Sequence, residues 1–157
     1  MLTTSRTLVW VPTLLALLAP PVLAAAAPPQ AAPQASLIHV EITGLRNDKG
    51  QVLCEIFSSP EGFPKDRSKA VARMKTDISG GHAVCEFPGL AAGTYAVAVF
   101  HDENSNGKLD TNFIGVPREG VGASNNAIRR WGPPKFSAAA FQLSGGRLDV
   151  KITIKYL

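Results

Sequence analysis

The stretch Leu37-Ile38-His39-Val40-Glu41-Ile42 decides the fold class. Its polar residues, His39 and Glu41, alternate with Ile38, Val40 and Ile42, and a period of two is that of a half-buried strand, not a helix. The same period returns downstream. Residues 51–57 form a second strand after the turn chemistry of Asn47-Asp48-Lys49-Gly50. A third, 82–87, runs between Gly80-Gly81 and Pro88-Gly89. Residues 94–100 are apolar on both faces, which predicts a strand in the centre of its sheet. Near the end, Leu148, Val150, Ile152, Ile154 and Tyr156 alternate with Asp149, Lys151, Thr153 and Lys155. One more strand is expected around 138–143. Residues 58–68 read as a loop, 69–78 as a short helix or irregular strand, and 102–135 as one long segment rich in Asn, Gly and Pro. About seven short strands in about 120 residues predict an all-β chain folded as a single antiparallel β-sandwich.

What precedes this domain has a different chemistry. Residues 1–26 carry one cation, Arg6, and no acid, with an apolar run from Leu8 to Leu23 and then Ala24-Ala25-Ala26. That is the layout of a secretory signal peptide, with cleavage expected between Ala24 and Ala27. Pro12, Pro20 and Pro21 weaken the alternative of a membrane span. Residues 27–35, rich in Ala and Pro and uncharged, read as a flexible linker, and the β-sandwich domain is assigned to 36–157. The expected location is therefore periplasmic or secreted, with no transmembrane anchor once the signal is removed. The net charge of +4 on the whole chain falls by one with Arg6. With no Lys/Arg run beyond Arg129-Arg130, nucleic acid is not an expected partner.

Two cysteines remain, and both fall at inward positions. If Glu55 and Glu86 face water, Cys54 and Cys85 point into the core beside Ile56 and Phe87. An even cysteine count in an exported chain favours a Cys54–Cys85 disulfide; two separate buried thiols are the alternative. Neither has the Cys-x-x-Cys spacing or a basic neighbour that catalytic thiol chemistry needs.

The segment His101-Asp102-Glu103-Asn104-Ser105-Asn106-Gly107-Lys108-Leu109-Asp110-Thr111-Asn112 carries the most chemistry. Oxygen-bearing side chains at 102, 104 and 106, followed by Gly107, match the opening of the calcium-loop pattern D-x-[DN]-x-[DN]-G. A tight loop turns such alternating residues toward one point, where Asp110 and the carbonyl of Lys108 join them. Position 12 of that pattern, where an EF-hand places Glu, is Phe113, and the loop follows a strand instead of a helix. Calcium would therefore be held weakly by Asp102, Asn104, Asn106, Lys108 and Asp110, completed by Glu119 or Glu103. The alternative is that Asp and Asn bond only to their own backbone as Asx-turns. His101, Asn125, Asn126, Arg130 and Trp131 form a candidate ligand surface, in which Arg129-Arg130-Trp131 would grip an anion or the face of a sugar. The histidines 39, 82 and 101 lack metal-ligand spacing, and Ser124 lacks a Gly-x-Ser-x-Gly context.

Residues 93–104, then Asn106-Gly107-Lys108-Leu109-Asp110-Thr111-Asn112, Gly115-Val116-Pro117-Arg118-Glu119-Gly120, Ser124-Asn125-Asn126-Ala127 and Gly132-Pro133-Pro134-Lys135-Phe136 together resemble the exported bacterial proteins catalogued as domain of unknown function 2141. Val121 and Ala123, where an aromatic often stands, and Trp131 depart from that pattern. The resemblance implies an exported β-sandwich similar to transthyretin-like or carboxypeptidase-regulatory-like domains, with no established activity. The C-terminal Tyr-Arg-Gly-Ser motif of the hydroxyisourate hydrolases, which share the transthyretin architecture, is absent here. Three functions follow in order. The first is a non-catalytic module meeting an extracytoplasmic ligand or protein through its 102–126 loop. Next comes a structural or adhesion-type surface domain with no ion. A hydrolase using His101, Asp102 and Glu119 is last, since no nucleophile–base–oxyanion set can be assembled.

Overall fold

In the computed structural model, which describes residues 36–129 and 132–157, the alternation of the first strand is realised residue by residue. β1 (Leu37–Thr43) buries Ile38, Val40 and Ile42 and leaves His39 and Glu41 half-exposed. The expected signal peptide and linker lie outside the described residues, as do Arg130 and Trp131. The other strands are β2 (Gln51–Phe57), β3 (Ala72–Thr76), β4 (Ala83–Pro88), β5 (Gly93–Asp102), β6 (Gly120–Ala123), β7 (Phe141–Leu143) and β8 (Arg147–Thr153). Residues 69–78 therefore resolve into a turn of 3-10 helix, Arg67–Lys69, followed by the edge strand β3. The strand expected at 138–143 is shorter. Its first half is the helical turn α1 (Phe136–Ala139), and only 141–143 pair, against the start of β5.

Two sheets stack as an all-β sandwich. One has three strands in the order β4-β1-β8; the other has five, β3-β2-β5-β6, with β7 also on β5. β5 is central, as its two apolar faces predict. β2 flanks it on one side, and β6 and β7 share the other. The antiparallel expectation fails at one place: β1 and β8 run parallel, Leu37 opposite Arg147 through Thr43 opposite Thr153. Antiparallel neighbours close in sequence are joined by a hairpin, but β1 and β8 lie at opposite ends of the domain and no hairpin sets their direction. The chain reaches β8 by crossing over from β7 in the other sheet, and it arrives running along β1.

Between the sheets lie Ile38, Val40, Ile42, Val52, Ile56, Phe87, Val97, Val99, Leu143, Val150, Ile152 and Ile154, all buried. Cys54 on β2 and Cys85 on β4 join the two layers there as a disulfide, Cα to Cα 6.6 Å, inside the range that an unforced bridge requires. Closing a loop across a sequence separation of 31 stabilises by about 3–4 kcal/mol on the chain-entropy model. A Cys54→Ala/Cys85→Ala protein should accordingly unfold at a lower denaturant concentration by about that free energy. A loss under about 1 kcal/mol would mean that the bridge constrains the unfolded chain far less than loop entropy predicts.

The outer face of the larger sheet departs from the expected pattern. Glu55, expected in water, is only 2% exposed. Residues 58–71 fold back over this face, bringing Phe63 edge-on to Phe57 and Phe136 edge-on to Phe63. Arg67, from the same segment, pairs with Glu55 through its Nε and reaches the carbonyl of Gly107 with Nη1. Its guanidinium also lies over the ring of Phe100, 5.6 Å from the centroid. A segment that reads as a plain loop is in fact the second layer over β2 and β5.

Candidate functional site

β5 ends at the pair His101–Asp102, and strand geometry sends these two side chains to opposite faces. His101 turns inward, fully buried, with Nε2 donating to the carbonyl of Lys49 at 2.7 Å. A carbonyl can only accept, so Nε2 carries the proton. Nδ1 shares a hydrogen bond with the hydroxyl of Tyr156 at 2.7 Å, and that oxygen accepts in turn from the backbone N–H of Arg46 at 3.0 Å. Burial pushes the Tyr156 hydroxyl above the usual tyrosine value.

Asp102 faces the other way, equally buried, and organises the root of the loop. Its Oδ1 accepts from Asn106 N–H (3.0 Å), and its Oδ2 from Gly107 N–H and Gln51 Nε2 (both 2.8 Å). Glu119, buried just before β6, fastens the far side: Oε1 accepts from Glu103 N–H and Oε2 from Asp110 N–H, each at 2.9 Å. Between these two carboxylates, Asn104 Nδ2 donates to Asp110 Oδ2 at 2.8 Å and Asn106 Nδ2 to Asp110 Oδ1 at 3.1 Å. The amide oxygens of Asn104 and Asn106 accept from the N–H two residues on, as in Asx-turns. Glu103 leaves this cluster for Arg46, which grips it with Nε and Nη2 and, as the main cause, holds its carboxyl below the usual range.

Of the residues predicted to surround an ion, the fold brings Asn104, Asn106 and Asp110 into direct contact. It sets Asp102 and Glu119 behind them as backbone clamps. Lys108 enters through its N–H, which donates to Asn106 Oδ1. No three His, Cys, Asp or Glu side chains among the described residues are grouped closely enough to hold a metal as they stand. The candidate ligand surface needs correction at His101, because both its ring nitrogens are spent inside the core. Asn125 and Asn126 are exposed, both with positive φ, and their side chains fasten backbone. Asn125 Nδ2 donates to the carbonyls of Ala138 and Ala140, and Asn126 Oδ1 accepts from Thr153 N–H. Reading the sequence missed Gln51, Arg46 and Arg67, which hold the loop from other elements; no local spacing marks a partner 51 or 57 positions away.

Among the described residues no helix is long and apolar enough to cross a membrane. No curated protein matches this chain. Among solved structures, a pilus-presented adhesin is similar over 79% of this chain at 12% identity and a TM-score of 0.23; the chain spans 27% of that adhesin's length. The sequence pattern of one family covers residues 40–151, most of the sandwich from within β1 to within β8, and the loop with it. The chain belongs to that family, DUF2141, described as uncharacterized protein conserved in bacteria.

Proposed function

We propose that this chain is a non-catalytic, extracytoplasmic β-sandwich module whose 102–119 loop takes up a weakly held calcium ion. One observation carries the reading. Asp102, Asp110 and Glu119 stand within 18 residues, two of them buried, and among the described residues no cationic side chain pairs with any of them. Their oxygens are met only by amide N–H groups. Carboxylates taken from water without a counter-charge are costly, and a divalent cation is one way to offset that cost. Uptake requires the side-chain amides of Asn104 and Asn106 to rotate, turning oxygen toward Asp110 in place of nitrogen. Sites with few charged ligands bind in the range of about 0.1–1 mM that extracellular calcium modules use. The buried disulfide suits the oxidising compartments outside the cytoplasm.

A second reading has its own support. Every oxygen of Asp102 and Glu119 already accepts a hydrogen bond, so the loop is tied down without any ion, as in a structural or adhesion-type surface domain. Calcium titration followed by thermal melting separates the two. A ligand at 100 times its dissociation constant stabilises by about 2.7 kcal/mol, a melting shift of several degrees for a domain of this size. At about 10 mM calcium, which is about 10 to 100 times such a dissociation constant, the wild type should gain about 1.4–2.7 kcal/mol and rise accordingly, reversibly with chelator. Asp110→Asn, which keeps the shape and removes the charge, should respond little. Equal response of both proteins, or of neither, makes the loop a scaffold.

A further inference from the structure

The far end of this loop is a small hairpin whose tip breaks the usual chemistry of turns. Thr111 bridges Pro117, Asn112 N–H donates to the carbonyl of Val116 at 2.8 Å, and Gly115 N–H returns to the carbonyl of Asn112 at 2.9 Å. Asn112 Oδ1 also accepts from the N–H groups of Ile114 and Val116, and Gly115 takes φ +80°. Backbone and Asn112 together close the turn, so its two central residues are free to be polar, as turn centres ordinarily are. They are Phe113 and Ile114, 97% and 69% exposed. Leu109, on the same loop, is 37% exposed.

Single exposed hydrophobes are ordinary; adjacent ones at the tip of an ordered hairpin ask for a partner. Three side chains are far from the roughly 800 Å² that each side of a stable protein interface buries. The charges beside them narrow the choice. The exposed charged side chains of 107–118 are Lys108 and Arg118, both cations, while Asp110 is half-buried with its oxygens taken by two amides. An apolar wedge flanked by cations complements an anionic bilayer surface, where aromatic and aliphatic side chains enter the headgroup boundary and Lys or Arg meets the phosphates. We propose that the 109–118 hairpin seats Phe113 and Ile114 in the interfacial layer of a membrane containing anionic lipid. Calcium is not required, so this contact stands apart from the ion reading above.

The test uses the chain expected after signal removal, residues 27–157, with Ile114→Cys carrying an environment-sensitive fluorophore, which spares Cys54 and Cys85 because they are bonded to each other. It is mixed in chelator with vesicles of phosphatidylcholine alone or with added phosphatidylglycerol. The probe should shift to the blue only with the anionic vesicles, and less at high salt. Phe113→Ser in the labelled chain should weaken that binding by roughly ten-fold, the loss of one buried aromatic. Three results overturn the proposal: no binding, binding by sedimentation without a probe shift, which places the contact elsewhere on the chain, or a probe shift that follows protein concentration without vesicles, which makes a second copy the occupant.

Discussion

Gly50→Ala is expected to destabilise the domain by about 4 kcal/mol or more, the largest loss from adding a single methyl group anywhere in the β2 turn. Gly50 sits at φ +73°, in the left-handed region, just before β2. A Cβ there would stand 2.0 Å from the carbonyl oxygen of Asp102 and 2.7 Å from the Cα and carbonyl carbon of Glu103. All three are backbone atoms at the root of the loop and have no rotamer to escape into. Relief requires moving the turn away from β5, which loosens the Lys49 carbonyl from His101 and Gln51 from Asp102. Gly80→Ala is the control: φ is +59°, and a Cβ there meets nothing within 4 Å. It should lose only the left-handed penalty of about 1–2 kcal/mol. Denaturant unfolding of the two proteins measures the difference, which corresponds to a melting temperature at least about 10 °C lower for the Gly50 variant. Equal losses would mean that the turn does not pack against the loop root as described.

Removing Arg67 should cost about 3 kcal/mol at neutral pH, and the cost should shrink as the solution is acidified. Burial is the main influence on Glu55 and pushes its carboxyl above the usual glutamate value, while Arg67 pulls it back down. A group raised in this way binds its proton in the folded state before the unfolded chain does. Between the ordinary value and the raised one, stability therefore grows as pH falls. Arg67→Ala strands a buried carboxylate at pH 7, and below the raised value that carboxylate is protonated and the penalty fades. The same substitution releases the carbonyl of Gly107, so hydrogen exchange in residues 103–110 should quicken as well. Adding Glu55→Gln to Arg67→Ala should recover most of the loss, because no buried charge then remains unpaired. A loss equal at every pH, and unchanged in the double variant, would place the effect in the contact with Phe100 instead of the ion pair.

Some of this architecture belongs to short stretches of sequence and needs nothing else. The period of two in 37–42 makes β1 whatever surrounds it, because alternate side chains of a strand must face opposite ways. The doubly apolar run 94–100 can be buried only in the middle of a sheet, and Cys54 and Cys85 inherit inward positions from the alternation around them. The Asp/Asn spacing and Gly107 likewise announce a tight, oxygen-lined turn after β5. Alternation, however, says which side of a strand a residue takes, not what will later lie over that side. Glu55 is on the outward face as its neighbours predict, yet it is buried, because residues 58–71 return to cover it and bring Arg67 as its counter-charge. The direction of β8 beside β1, the clamp of Glu119 on Glu103 and Asp110, and the inward engagement of His101 with Tyr156 are of the same kind. Each depends on contacts between residues 9 to 110 positions apart, whose geometry is set by how the two sheets and their covering loops close, and no local pattern encodes that closure.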